Sequence, residues 1–555
     1  MRKITYILTI SFVLNLLVYP VAVLAKEQKE PISSSQRKID KKATDILQKK
    51  VEEFPLEPEE KGVPLPEPDV ENEGYSTVPT KKEPPSIEKS QAEENKQSST
   101  EESTRPTPAP KTQDNSEIAP RQEKLPKTQY EDLMWGGVWI RFFEELGLLL
   151  VHGGTTFANP GPLLSEVKAK KVKRIEMKYT ITITGSADEM FANFTNLEEI
   201  VGLEHLDTRH VTSMKKMFWM CSTLPSLDVS NFITSSVTDM SNMFEGCLVL
   251  TSLDVSNFIT SSVTDMNNMF AFCYKLDGLD VSNFNTSNVT NMEGMFYNCN
   301  SLANLDVSNF NTSNVTNMEG MFYKCNRLAN LDVSNFNTSS ATTMYLMFYE
   351  CSSLANLDVS NFNTSNVTNM GAMFAACEGL TSLDLSNFNT SNVTNMEIMF
   401  AACEGLTSLD LSNFNTSNVT YMQAMFGMCE GLTSLDLSNF NMSNVSDMRK
   451  LFDKCNGLSS LRLGRQFKMN QTVALPDISA TEEYTGKWQN IGTGTRENPN
   501  GAHIWTSEEL MANYSGTTDA DTYVWQPVAK VTTDSTVFLG EQRNKVLDYI
   551  VKVGD

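Results

Sequence analysis

The chain has 555 residues, too many for one ordinary domain, and carries 68 Asp and Glu against 45 Lys and Arg, a formal charge of −23. A surface of that sign repels nucleic acid and anionic lipid and favours cationic partners, so no nucleic-acid partner is expected. Its ten cysteines and four scattered histidines contain no paired Cys-x-x-Cys motif, which argues against a zinc site.

Residues 1–25 open with Arg2 and Lys3, run apolar over 4–18 and end in Val23-Leu24-Ala25, the pattern of a secretory signal peptide. After its cleavage no transmembrane segment is expected. Residues 26–128 hold 14 of the 21 prolines, 22 acidic and 18 basic residues, and only Phe54 and Tyr75 as aromatics. Such a stretch cannot bury enough apolar surface to offset chain entropy and is predicted to be disordered. Within it, Leu125-Pro126-Lys127-Thr128-Gln129 has the look of a sorting signal, but it lies mid-chain without a hydrophobic tail and reads as coincidence.

Residues 129–205 are predicted to form an N-terminal cap. Met134-Trp135-Gly136-Gly137-Val138-Trp139 and the apolar run 148–151 suggest a β-hairpin, followed by a strand over 175–184. A degenerate half-repeat follows, in which Met190, Phe191 and Phe194 stand where later copies have Met-Phe and Cys.

From 206 to 463 one phrase recurs ten times. Cys221, Cys247, Cys273, Cys299, Cys325, Cys351, Cys377, Cys403, Cys429 and Cys455 are each 26 residues apart, which marks a solenoid of translated units. In the copy LDVSNFNTSNVTNMEGMFYNCNSLANL, Met292, Met295, Phe296 and Cys299 fall at i, i+3, i+4 and i+7, the spacing of one face of a short helix. Thr290 with Glu293, Thr316 with Glu319, Thr394 with Glu397 and Thr420 with Gln423 read as capping boxes for that helix. Leu305-Asp306-Val307-Ser308 alternates with a strand's period, and the Asn-Thr-Ser-Asn run after it suits a turn. The expected fold is therefore α/β: a leucine-rich-repeat-like solenoid with a parallel sheet on one side and short helices on the other, flanked by small β-rich capping modules. Leu380, Leu383, Leu385 and Asn387 fit L-x-x-L-x-L-x-x-N, with the asparagine one place early.

Residues 464–527, with Trp488, Trp505, a helix start at Thr506-Ser507-Glu508-Glu509 and Tyr523-Val524-Trp525, are expected to close the solenoid. The tail 528–555 has no assigned role and shows no hydrophobic stretch or basic stop, so nothing visible in it provides an anchor.

Two columns of residues carry the chemistry. The ten cysteines are expected to form a buried ladder of free thiols, because helical positions in neighbouring turns would lie roughly 10 Å apart, beyond disulfide reach. Asp228, Asp254, Asp280, Asp306, Asp332, Asp358, Asp384, Asp410 and Asp436 follow the strand leucine in nine successive copies, on its outward phase. Like charges at strand spacing repel, so each carboxylate needs either hydrogen bonds from its own turn or a cation such as calcium along the column. No other cofactor is indicated. Lys324, Arg327, Trp219 and Tyr421 interrupt the pattern and are secondary contact candidates.

MFxxCxxL followed by LDVSNF and TSNVTNM, entered through Trp-Gly-Gly-Val-Trp, resembles the BspA-like leucine-rich-repeat surface proteins of bacteria over about 130–527. The resemblance implies a secreted or cell-surface protein of a Gram-positive-type bacterium that takes part in adhesion. The expected function is a monomeric, non-catalytic platform for an extracellular protein or glycan. Self-association in the cell envelope is an alternative. So is a glycan-active enzyme, but nine copies of one aspartate share one environment and cannot split two pKa values as acid and base catalysis requires. Such an enzyme would have to work around His152, Trp488 or His503 in the flanking modules.

Overall fold

The computed structural model describes residues 129–157 and 159–529. The segments read as signal peptide and proline-rich stretch, and the tail from residue 530, lie outside the described residues.

The chain enters through strands β1 (Glu131–Trp135) and β2 (Val138–Phe143), antiparallel across Gly136 and Gly137, both at positive φ. Two positive-φ residues in a two-residue hairpin loop match the right-handed twist of the strands, and glycine reaches that conformation without a Cβ clash. Strand β3 (Leu148–Val151) extends the sheet, and β4 (Gly154–Thr155) starts a second one. After a short helix α1 (Glu166–Ala169), the single strand expected over 175–184 is two strands in different sheets. Strand β5 (Arg174–Met177) pairs parallel with β3, whereas β6 (Ile181–Ser186) pairs parallel with β4. Strands β7 (Glu199–Val201) and β8 (Leu206–Ser213) add to the two sheets in turn, so each coil already contributes one strand to each.

Strand β8 leads into a ladder of parallel bridges that runs the length of the solenoid. It passes from Ser213 to Asp239, Asp265, Asn291, Asn317, Thr343, Asn369, Asn395, Tyr421 and Asp447, one residue per coil. The sheet thus lies at the residue preceding Met292 and its equivalents, not at the Leu-Asp-Val-Ser stretch. That stretch is extended but bridged only where Gly278 meets Asn304 and where Ser408 meets Ser434, until β9 (Ser434–Leu437) and β10 (Ser460–Leu463) pair at the C-terminal end.

The back of each coil corrects the helical expectation. No helix lies between β8 and β9. Residues 292–299 instead make a chain of turns in which backbone donors alternate. Met292, Gly294, Phe296 and Asn298 give their N–H groups to Asn317, Glu319, Met321 and Tyr323 of the next coil, while Met295, Tyr297 and Cys299 bond three residues back. The geometry needs a left-handed residue at two places per coil, such as Gly294 and Asn298 or Ala372 and Ala376. An α-helix tolerates neither. The i, i+3, i+4, i+7 spacing of Met292, Met295, Phe296 and Cys299 is real, but the inward face belongs to a succession of turns. The capping boxes are accordingly absent: Thr290 Oγ1 donates to Thr264 O in the preceding coil at 3.2 Å, and the Glu293 N–H is taken by Asn291 Oδ1 at 3.1 Å.

The interior is a set of columns. Phe191, Phe218, Phe244, Phe270, Phe296 and Phe322 stack ring on ring, and the column continues to Phe452 with successive planes within about 11°. The half-repeat at Phe191 therefore starts this column. Val307, Phe310, Val315, Met318 and Leu302 are likewise buried, with their equivalents in other coils apart from the half-buried Val445 and Met448 of the last. Each coil buries its apolar positions against copies of themselves, so none is stable alone.

After β10 the repeat stops. Strand β11 (Tyr484–Asn490), β12 (Ile504–Trp505), helix α2 (Ser507–Asn513), a short helix α3 (Gly516–Asp519) and β13 (Thr522–Pro527) form the closing module. Helix α2 begins with a complete capping box between Thr506 and Glu509. Strand β13 pairs antiparallel with β10, which joins the module to the last coil in a five-stranded sheet ordered β12-β11-β13-β10-β9.

Candidate functional site: the strand face and its side-chain ladders

Bridged coils sit about 4.8 Å apart, the spacing of hydrogen-bonded strands, rather than the roughly 10 Å of packed helices. That overturns the distance argument about the thiols, since Cα atoms one strand step apart lie within disulfide range. All ten cysteines are nonetheless free and buried. Each Sγ–H finds an acceptor in an earlier coil: Cys299 donates to Phe270 O at 3.1 Å, Cys325 to Phe296 O at 3.2 Å and Cys351 to Phe322 O at 3.0 Å. Burial pushes the Cys299 thiol up to about 12, far from the thiolate that disulfide exchange and metal binding need.

The nine aspartates stand exposed, one per coil. Each turns an Oδ1 to the backbone N–H of the serine two residues on, from Ser230 on Asp228 at 3.0 Å to Ser438 on Asp436 at 2.9 Å. For Asp280, hydrogen bonds from the Ser282 side chain and backbone hold the carboxyl below its usual range, against the opposing push of Asp254 and Asp306. Only the last has a cationic neighbour within the described residues, where Arg462 Nη1 lies 3.1 Å from Asp436 Oδ2. No group of three or more His, Cys, Asp or Glu side chains among the described residues could hold a metal ion. Each carboxylate of the column thus has a local hydrogen-bond donor in the serine two residues on.

Beside the aspartates lie two ladders, one formed by the asparagine column of Asn387 that fits the leucine-rich-repeat phrase one place early, the other by the threonine of the Asn-Thr-Ser-Asn run read as a turn. Asn283 Nδ2 donates to the carbonyls of Val255, Ser256 and Phe258 in the preceding coil at 3.1, 3.1 and 2.9 Å, and Asn309, Asn413 and Asn439 do the same. Asn387, expected one place early, keeps part of this role through Ser360 O at 2.5 Å. In the second ladder Thr260 Oγ1 donates to Asn285 O at 3.0 Å and accepts from Asn285 N at 2.7 Å. The threonines from Thr234 to Thr416 at this position are buried, and a Thr at one place in nine of the ten copies, from Thr208 to Thr416 with Met442 in the tenth, was the available signal.

The secondary candidates scatter over other positions of the coil. Lys324 Nζ is 3.2 Å from Glu350 and 5.4 Å from the centre of the Tyr323 ring, which stacks on Tyr297 at 4.1 Å and on Tyr349 at 4.9 Å. Trp219 lies under Lys216 at 5.0 Å, Tyr421 is a member of the bridge ladder, and Arg327 is exposed. The three residues named for an enzyme are not brought together. His152 belongs to the N-terminal module, Trp488 is buried with its indole N–H on Ser507 Oγ at 3.0 Å, and His503 packs on Trp505 with Asp519 at 3.5 Å.

These features define the class: a solenoid of parallel coils with leucine-rich-repeat character, closed by a β-rich module at each end. Residues 185–279, 271–383 and 376–473 each match the family described as "Mycoplasma protein of unknown function, DUF285", over half of the chain in all, and the chain belongs to that family. No curated protein matches the sequence. Among solved structures it is similar to the TLR13–ssRNA13 complex, at 14% identity over 54% of this chain and 49% of that one, with a TM-score of 0.21. The chain thus spans about half the length of that structure's chain. It is also similar to the functional domain of InlJ from Listeria monocytogenes, described as including a cysteine ladder, at 14% identity over 71% and 88% with a TM-score of 0.20. The Drosophila Toll–Spatzle complex follows at 11% identity over 62% and 64%, with a TM-score of 0.18.

Proposed function

We propose that this protein is a non-catalytic binding platform, secreted or held at a bacterial cell surface, that engages an extracellular protein or glycan in the manner of an adhesin. The observation that carries this reading is the aspartate column. Nine exposed carboxylates repeat at one-coil spacing, each oriented by the serine two residues on, and only Asp436 among them also meets a cation, Arg462, within the described residues. A partner with a periodic row of cationic or hydrogen-bond-donating groups gains from each coil it covers. Repetition also speaks against a reaction centre, since identical environments give identical pKa values. The signal-peptide pattern at 1–25 and the BspA-like phrase support placement outside the cell; among the described residues, no helix is long and apolar enough to cross a membrane.

The test is binding of the full chain to immobilised extracellular matrix proteins and whole cells, alongside a variant with Asp280→Asn, Asp306→Asn, Asp332→Asn and Asp358→Asn. Loss of binding with an unchanged melting temperature supports the platform. Equal binding by the variant removes the strand face from the mechanism.

A further inference from the structure

The two ends of the solenoid finish differently. At the C-terminal end the outermost strand, β12, is two residues long, and so short an edge offers little to pair with. At the N-terminal end the outermost strand is β1, five residues long and paired only with β2 among the described residues. The direction of its free groups follows from the hydrogen bonds of its neighbour. Trp139 O accepts the His152 N–H at 2.9 Å, so the Trp139 backbone is turned to β3, and Trp139 with Met134 is a non-hydrogen-bonded pair. The N–H and C=O of Met134, and by alternation those of Asp132, therefore point out from the edge.

The side chains of this edge are unfinished in the same way. On the inner face Met177, Val151, Ile140 and Leu133 form one cross-strand row; the first three are buried, whereas Leu133, last in the row, is only half-buried. On the outer face the cross-strand pair Met134 and Trp139 is 54% and 58% exposed. An unpaired strand beside uncovered apolar side chains marks a contact surface. Charge does not oppose it: Arg141 donates to Asp132 at 2.6 and 2.9 Å and Lys168 to Glu131 at 2.7 and 2.6 Å, so both acids of β1 carry their own cation in a chain of net charge −23.

What covers the edge must be a strand with its own backbone groups free. Residues 26–128, which lead towards β1, hold 14 of the 21 prolines, and proline has no N–H to give to a ladder. A second β1 meets the requirement, and one register suits it. With Asp132 opposite the partner's Met134, Leu133 lies opposite the partner's Leu133, and the inner row runs on through Ile140 of both copies. Setting Asp132 opposite the partner's Asp132 would instead confront like charges and put Leu133 against the partner's Glu131.

We propose that two copies of this chain join by antiparallel pairing of β1 with β1, about a two-fold axis at Leu133, so that the two five-stranded cap sheets become one. The contact is isologous and closes at two copies. It uses a different surface from the aspartate column and does not rest on the platform reading. The experiment follows the full chain by sedimentation velocity from about 1 µM to about 0.3 mM. A monomer–dimer equilibrium with dimer predominating at the highest concentration is expected. Met134→Pro removes an N–H that no strand of the same chain uses, so it should abolish the dimer while leaving the far-ultraviolet spectrum and, at the lowest concentration, the melting temperature unchanged. All ten native cysteines are buried, so Leu133→Cys should cross-link to its copy under mild oxidation, the Cα atoms of such a pair lying about 4.5 Å apart, whereas Asp306→Cys on the solenoid should not. If the proline unfolds the cap, the cross-link alone decides. A chain that stays monomeric throughout, a dimer that survives Met134→Pro in a folded protein, or cross-linking no greater at 133 than at 306 overturns the assignment.

Discussion

The front and back of each coil solve the same problem, binding to the next coil, by different means. On the front, side chains do it: Asn283 reaches three carbonyls of the coil before, and Thr286 pairs with Asn311 of the coil after. On the back, the backbone does it: Gly294 N–H meets Glu319 O and Asn298 N–H meets Tyr323 O, whatever side chain projects outward. The consequence is visible in the letters. Ser-Asn-Phe-Asn-Thr-Ser-Asn recurs almost unchanged from coil to coil, while the outward positions equivalent to Glu293 are Glu319, Tyr345, Gly371, Glu397 and Gln423. Repetition is strict where a side chain is the connector and loose where it is not.

The largest effect should come from the column that both halves share. Phe322 lies between Phe296 and Phe348, fully buried, so Phe322→Ala opens a cavity with stacked rings on both sides. Destabilisation of about 3–5 kcal/mol is expected by chemical denaturation. A loss under 1 kcal/mol would mean that the column can collapse and that the interior is not what holds the coils together.

Next comes the front ladder. Asn283→Ala removes the amide donor shared by Val255 O, Ser256 O and Phe258 O, of which Val255 O keeps the Phe258 N–H, and should cost about 1–3 kcal/mol. The matched change on the back, Glu319→Ala, leaves every backbone bond between the coils in place and should cost less than Asn283→Ala. Equal losses at the two sites would erase the distinction between the faces.

The solenoid, its period, the inward residues and the outward aspartates were all legible because a 26-residue repeat prints each structural position ten times. The error was local. Met292, Met295, Phe296 and Cys299 have helical spacing, and spacing alone cannot separate a helix from linked turns that present the same face. The signal that separates them is composition at the two left-handed positions, where Asn242, Asn268, Gly294 and Gly320 recur at one, and Gly246 and Asn298 at the other. Gly and Asn at fixed places inside a supposed helix are evidence for positive φ. Later coils hide it by placing Leu346, Ala372 and Ile398 there.

That correction has a prediction of opposite sign for the two models. Ala372 has φ near 53°, so Ala372→Gly should stabilise the protein by about 1 kcal/mol by relieving the left-handed Cβ strain. In an α-helix the same change would destabilise by a similar amount. A fall in denaturation midpoint would restore the helix.

The smallest effect belongs to the aspartates, and it tests whether their compensation is local. Hydrogen bonds from the Ser308 side chain and backbone, chief among the causes, hold the Asp306 carboxyl below its ordinary value, and Asp332 and Asp358 are lowered in the same way by Ser334 and Ser360. A carboxylate whose pKa is lower folded than unfolded contributes stability that is complete above the unfolded value, about 3.9, and disappears as pH falls through the folded one. The melting temperature should therefore hold steady from neutral pH to about pH 5 and decline below pH 4. The triple variant Asp306→Asn, Asp332→Asn and Asp358→Asn keeps an amide oxygen for each serine N–H, so it should match the parent near neutral pH and show a shallower acid decline. If an ion ran along the column instead, the parent would melt higher in millimolar calcium than in chelator, and the variant would lose that difference; superimposable curves are the expected result.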